Sequence, residues 1–233
     1  MANSTLNKIK QQVLNANQSL PTSGLVKLTW GNVSGAFREE DLMVIKPSGV
    51  DYQELTIETL VTVCISTGEK VEGDLKPSSD TETHLEIYRA FKNVGGITHT
   101  HSRYATIFSQ AGLSIPCFGT SHADHFNGTI PVARALTEQE VDEGYEHNTG
   151  KTIVETFNDI NPDQMPAVLL KHHGPFTWGH DALASLNNSI ALEEVAFMAH
   201  QNLLLQNNLK AIPAHILNKH NERKHGPNAY YGQ

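Results

Sequence analysis

Residues 60 to 73, LVTVCISTGEKVEG, read as two short strands turning at Thr67-Gly68-Glu69. A hairpin joins antiparallel neighbours, so the chain must build a sheet with antiparallel pairing in it. LVKLTWGNVSGAF (25–37) and DLMVIKPSG (41–49) read as further short strands joined by polar turns. GGITHTHS (95–102) reads as a buried strand, and MPAVLLKHHGPFTWG (165–179) as another with a Gly-Pro turn. Helices are expected between them. Leu6, Ile9, Val13 and Leu14 carry helical spacing over residues 4–20, after a cap at Ser4 or Thr5. Ser79 and Glu82 have the spacing of a capping box, which starts a helix just after Ser79, with Leu85, Tyr88 and Phe91 on its apolar face. YATIFSQAG (104–112), Ala182 to Leu205 and Pro213 to Lys224 complete the set. Strict β-α-β alternation is absent, which argues against a Rossmann sheet. The expected fold is α/β, with a central, mainly antiparallel sheet flanked by helices.

At 233 residues and 39% hydrophobic content, one domain over residues 1–233 is expected. The net charge of -8 is scattered rather than blocked, which argues against a nucleic-acid partner. The N-terminal segment lacks an apolar signal core and no run of eighteen apolar residues occurs, so the reading is cytoplasmic with no membrane span. Cys64 and Cys117 lack a C-x-x-C pattern and read as reduced core residues. The informative count is thirteen histidines, which makes a histidine-based site worth seeking.

His99 and His101 stand two apart in a strand, on one face and about 7 Å from each other, near enough to converge on one ion. The best third ligand is in His172-His173. Adjacent strand residues face opposite ways, so one of the two joins, and His173 beside the Gly-Pro turn is the choice. Three histidines leave a coordination position open, as catalytic zinc does. Asp80, at a helix start, is either a fourth ligand or base, or a helix cap. TSHADHF (120–126) offers His122 and Asp124 as a second metal pair if extended, or Asp124 as an acid/base group if it is a loop. The turns TWGNVS, KPSGV and KPSSD, with Lys46 and Asn32 nearby, make a phosphate cradle when taken together.

LTWGNVS, VIKPSGVDY, KPSSDTETH, GGITHTHSRYATIF, GTSHADHFNGTIP, HHGPFTWG and RKHGPNAYYGQ, in this order, resemble the L-ribulose-5-phosphate 4-epimerases of the class II aldolase/epimerase family. The resemblance implies a three-layer α/β/α fold, a four-fold homotetramer with active sites between subunits, and one zinc ion per subunit. It implies a zinc site at His99, His101 and His173 with Asp80 beside or on the metal. Substrate and phosphate contacts carry over to Gly31, Asn32, Lys46, Ser48, Gly49, Ser78 and Ser79, and across the subunit interface to His220 and Arg223. Asp124 and Tyr231 match the acid/base pair. The implied reaction interconverts L-ribulose 5-phosphate and D-xylulose 5-phosphate by breaking and remaking the C3–C4 bond. Sugar-phosphate aldolases of the family share the three histidines but typically carry a glutamate where this chain has Asp80. A metal-free oligomeric scaffold is the reading of another class, and the intact His99, His101, His173, Asp124 and Tyr231 argue against it.

Overall fold

A computed structural model describes residues 2–231. The hairpin at residues 60–73 forms as β3 (Val61–Cys64) and β4 (Lys70–Glu72) and makes one edge of an eight-stranded sheet. The other strands are β1 (Gly31–Phe37), β2 (Leu42–Ile45), β5 (Gly96–Thr100), β6 (Val132–Ala133), β7 (Ala167–Leu170) and β8 (Pro175–Gly179). Their order across the sheet is β4-β3-β2-β1-β5-β8-β7-β6, and every pairing except β6 with β7 is antiparallel. The expected mainly antiparallel sheet is therefore present.

Strand alternation sends side chains to two apolar layers. Val33 and Val44 pack with Val13 and Leu14 of α1 (Ala2–Ser19) and with Ala182 and Leu186 of α6 (Ala182–Leu205). Met43, Ile45, Val63 and Ile97 face the opposite way, into a cluster with Leu85, Ile87 and Tyr88 of α2 (Thr81–Ala90). Helices thus cover both faces. The remaining helices are α3 (Arg103–Ala111), α4 (Thr120–Ala123), α5 (Glu138–Thr156) and α7 (Ala214–His225). Among the described residues no helix is long and apolar enough to cross a membrane.

Several local expectations are corrected. Residues 25–30 are not strand: Leu28 takes a left-handed φ of 50° and Gly31 a φ of 143°, so extended pairing starts only at Gly31. At Gly31 a Cβ would stand 2.7 Å from the His99 carbonyl oxygen, so only glycine lets β1 lie this close to β5. Ser4 and Thr5 cap nothing, because α1 is already helical at Ala2. The Ser79–Glu82 box does not form either. Asp80 occupies the N-cap of α2, and even its side chain makes no capping bond. Residues 165–179 hold two strands, with the Gly-Pro turn between β7 and β8. Cys64 and Cys117 are free, but Cys64 is only half-buried and Cys117 lies outside the strands.

The sequence reading omits α5, whose apolar residues lack a clear stripe. Its available signal was Thr137-x-x-Glu140: Glu140 N donates to the Thr137 hydroxyl at 3.2 Å, and Thr137 N donates to the Glu140 carboxylate at 2.8 Å. The omission matters because α5 supplies residues to the site.

Candidate functional site

β5 ends at Thr100, which leaves His99 inside the sheet and His101 just past its edge. His99 lies opposite Asn32 of β1 and Phe176 of β8. His173 comes from the turn between β7 and β8, which closes through His173 N donating to Leu170 O at 3.0 Å. Gly174 lets that turn approach β5, since a Cβ there would meet Thr100 O at 2.7 Å. The result is a cluster of His99, His101 and His173 whose candidate ligand atoms lie within 4.8 Å of one another. Exposed His172, with a left-handed φ of 69°, stays outside it, as expected.

The donor set suits a divalent ion. The His99 Nδ1 lies 2.9 Å from the Pro175 carbonyl, which can only accept, so Nδ1 carries the proton and the Nε2 lone pair is left for a metal. Phe176 stacks on a face of that ring, at 4.1 Å and 18°. Burial pushes the His99 pKa down to about 3, with the neighbouring His101 adding to the effect. Burial, then His99 and His101, holds His173 well below the ordinary histidine range, and burial lowers His101. Neutral imidazoles are the form that binds metal.

This depression has a thermodynamic consequence. Burial also takes His84 down to about 3 and His122 to about 4, whereas an unfolded histidine titrates near 6.5. The unfolded chain therefore takes up protons first as pH falls. The stabilisation is complete above about pH 6.5 and is lost as pH drops toward the folded values, by up to about 1.4 kcal/mol per group per unit. Chelator-treated protein is expected to show a urea midpoint that declines steadily from pH 7 to 5; a flat profile would contradict the burial of these rings.

The histidines floor a cavity of about 670 Å³ whose walls include Gly31, Asn32, Lys46, Ser48, Gly49, Ser78, Ser79 and Asp80. Asp80 is not in the three-histidine cluster. Its carboxylate accepts from Asn32 Nδ2 at 2.6 Å, which holds it at the cavity wall instead of on the helix end. The KPSG and KPSS turns are zipped together: Ser48 N donates to Lys76 O and Ser78 N to Lys46 O, both at 3.0 Å. Those two N–H groups are therefore unavailable to an anion. The groups left to meet an anion include the Ser48 and Ser79 hydroxyls and the Lys46 ammonium. Lys46 is 2% exposed, donates to Pro47 O at 3.1 Å, and pairs with no carboxylate among the described residues. Burial brings its pKa down to about 8, with Asp51 opposing. A cation buried without a counterion is poised for an anionic ligand.

A second cluster stands apart. Residues 120–123 are helical, so His122 and Asp124 do not share an extended face; the His122 Nε2 instead lies 2.8 Å from Gly128 O, and no second metal group forms among the described residues. The Asp124 carboxylate accepts from Arg223 at 3.1 and 2.7 Å and lies 3.0 Å from the His220 Nδ1. Burial would raise its pKa, but the bonds from Arg223 and His220 overcome this and keep it ionised. Arg223 lies over the Tyr231 ring at 4.1 Å. The chain thus brings Asp124, His220, Arg223 and Tyr231 together, and none of them lines the histidine cavity.

Trp30, Tyr145 and Glu146 also line the cavity, and none of them is among the expected site residues. Trp30 tilts toward the His101 ring at 6.3 Å and is 52% exposed. The Tyr145 hydroxyl lies 3.2 Å from the His173 Nδ1. Both Tyr145 and Glu146 are delivered by a break in α5 at Gly144, whose φ of 156° is open to glycine.

Comparison with known proteins places these features. The sequence profile of the family described as Class II Aldolase and Adducin N-terminal domain matches residues 11–200. An L-fuculose 1-phosphate aldolase superposes with a TM-score of 0.78 at 26% identity, covering 93% of this chain and 95% of its own. YgbL from Klebsiella pneumoniae aligns at 23% identity and TM-score 0.74, over 91% of this chain and 97% of that one. A sugar-phosphate aldolase from Thermotoga maritima aligns at 19% identity and TM-score 0.69, over 88% and 98%. The last two likenesses are of fold.

Proposed function

Because the chain belongs to the class II aldolase and adducin N-terminal domain family, we propose that it is a zinc-dependent L-ribulose-5-phosphate 4-epimerase that breaks and remakes the C3–C4 bond. The observation that carries the epimerase reading is Asp80. It is one methylene shorter than glutamate and is tied to Asn32 at 2.6 Å beside three neutral histidines, which withdraws it from the role of a mobile base. The sugar-phosphate aldolase reading is favoured instead by the 26% identity to an L-fuculose 1-phosphate aldolase.

C4 of the substrate is not adjacent to the C2 carbonyl, so its hydrogen is not acidic and inversion there requires carbon–carbon cleavage. A metal held by His99, His101 and His173, with Asp80 beside it, supplies a Lewis acid that makes the cleavage accessible. Lys46, with the Ser48 and Ser79 hydroxyls, binds the phosphate of the two-carbon aldehyde fragment, so that the fragment turns over without leaving. Asp124 and Tyr231 from a neighbouring copy of the chain serve as proton donor and acceptor on the two faces of C4. His220 and Arg223 hold Asp124 ionised. The sharing of sites in a homotetramer is supported by the separation of the two clusters within one chain, each of which lacks what the other has.

The test is incubation of the metal-loaded protein with L-ribulose 5-phosphate and coupled detection of D-xylulose 5-phosphate. Xylulose 5-phosphate without free fragments is expected. Accumulation of dihydroxyacetone and glycolaldehyde phosphate, with no xylulose 5-phosphate, transfers the assignment to the aldolase.

A further inference from the structure

One fully buried titratable side chain has no part in this chemistry. His84 lies on α2, one helical turn beyond Asp80 and one before Tyr88, so the three share a face of the helix. Opposite them β1 presents Asn32 and Ser34, two apart and on one face of the sheet. The groups meet as a ladder. Asn32 Nδ2 donates to Asp80 at 2.6 Å, the Ser34 hydroxyl lies 2.7 Å from the His84 Nδ1, and the same hydroxyl lies 2.8 Å from the Tyr88 OH. Among the described residues the His84 Nε2 has no hydrogen-bond partner, and it is buried. The His84 ring meets Phe176 nearly perpendicular, at 5.7 Å and 70°, and Phe176 in turn stacks on His99.

A polar ring with an unpartnered nitrogen is a poor choice for filling a core, where an apolar side chain packs without that cost. What distinguishes this position is where its contacts lead. Through Ser34 it ties the first turn of α2, which ends in Asp80, to β1; through Phe176 it backs the His99 ring. The two arms end on groups that flank the proposed metal. We propose that His84 is a positioning residue for the metal centre, fixing Asp80 through the α2–β1 ladder and His99 through Phe176, so that metal affinity depends on it. This inference rests on the metal-dependent reading above and concerns affinity rather than the identity of the substrate.

Two variants separate the arms. His84→Phe keeps a ring against Phe176 and removes the bond to Ser34; His84→Asn keeps a polar atom where Nδ1 stood and removes the ring edge. The measurement is the zinc dissociation constant of chelator-stripped protein, by competition with a chromophoric chelator, alongside the melting temperature of the metal-free form. Each variant is expected to weaken zinc binding about 10- to 100-fold, the range for partners that orient metal ligands. A purely structural His84 would lower the melting temperature and leave the zinc constant of the folded fraction unchanged, which overturns the proposal. If neither variant folds, Ser34→Ala, which removes only the hydroxyl, is expected to weaken zinc several-fold, and wild-type affinity there is equally fatal. Wild-type protein that takes up no zinc sinks this inference together with the metal-dependent function. A failed epimerase assay with zinc affinity that still depends on His84 overturns the epimerase reading alone.

Discussion

His99→Ala is expected to weaken divalent-metal binding by more than about 100-fold and to take the activity with it. The lower bound follows from the cost of 10- to 100-fold for losing a group that merely orients a ligand, which loss of the ligand itself must exceed. His99 is the right residue because it is the most deeply set of the three: it is 2% exposed, and its Nδ1 is bonded to Pro175 O, so its Nε2 is fixed in place before any ion arrives. The variant also leaves a space against Phe176, so some loss of stability accompanies the change. Metal analysis on protein shown to be folded separates the two effects. Stoichiometric metal in folded His99→Ala protein would remove the cluster from consideration as the metal site.

Lys46→Met has the second largest expected effect, and its sign differs between stability and activity. In the anion-free protein the ammonium is buried with one carbonyl and the Tyr52 ring as its polar surroundings. Replacing it by an apolar chain of similar length should leave thermal stability unchanged or raise it by about 1 kcal/mol. Turnover of a sugar phosphate should fall on the order of 100-fold or more in kcat/KM, the usual cost of losing a desolvated charge partner. The pH dependence gives a further check. Because burial sets the Lys46 pKa to about 8, binding of inorganic phosphate to the wild type should weaken as pH rises through about 8. Lys46→Met should lack that limb. A variant destabilised without phosphate, and unaltered in its phosphate affinity, would place the anion elsewhere.

How much of this was legible beforehand depends on the kind of signal. The strands other than β6 and the long helix α6 are readable because apolar periodicity reports burial directly, and α6 begins at Ala182 as expected, with the Asp181 side chain accepting from Ala184 N. The His99/His101 pair was readable because i, i+2 spacing in a strand fixes relative direction. The capping-box spacing at Ser79 and Glu82 does not yield a box because a cap is a competition. Asp80 sits nearer the helix start than Ser79, the Ser78 hydroxyl accepts from Asp80 N at 3.3 Å, and Asn32, distant in sequence, draws the Asp80 carboxylate away from the helix end. Helix α5 was missed for the opposite reason: its burial lies against α2, where Gly150 approaches Glu86, rather than along an apolar stripe.

The amino-acid sequence by itself determined the antiparallel sheet, the covering helices α1, α2, α3, α6 and α7, the three histidines and the family, since each rests on local spacing or on short motifs in order. Only the tertiary structure decided which N–H groups of the serine turns are already used, that Lys46 is buried with no carboxylate partner among the described residues, and that Tyr145 and Glu146 reach the cavity. It also decided that Asp124 with Tyr231 stands apart from the histidines. Those are matters of desolvation and of contacts between residues far apart in the chain, and neither leaves a periodic trace in the sequence.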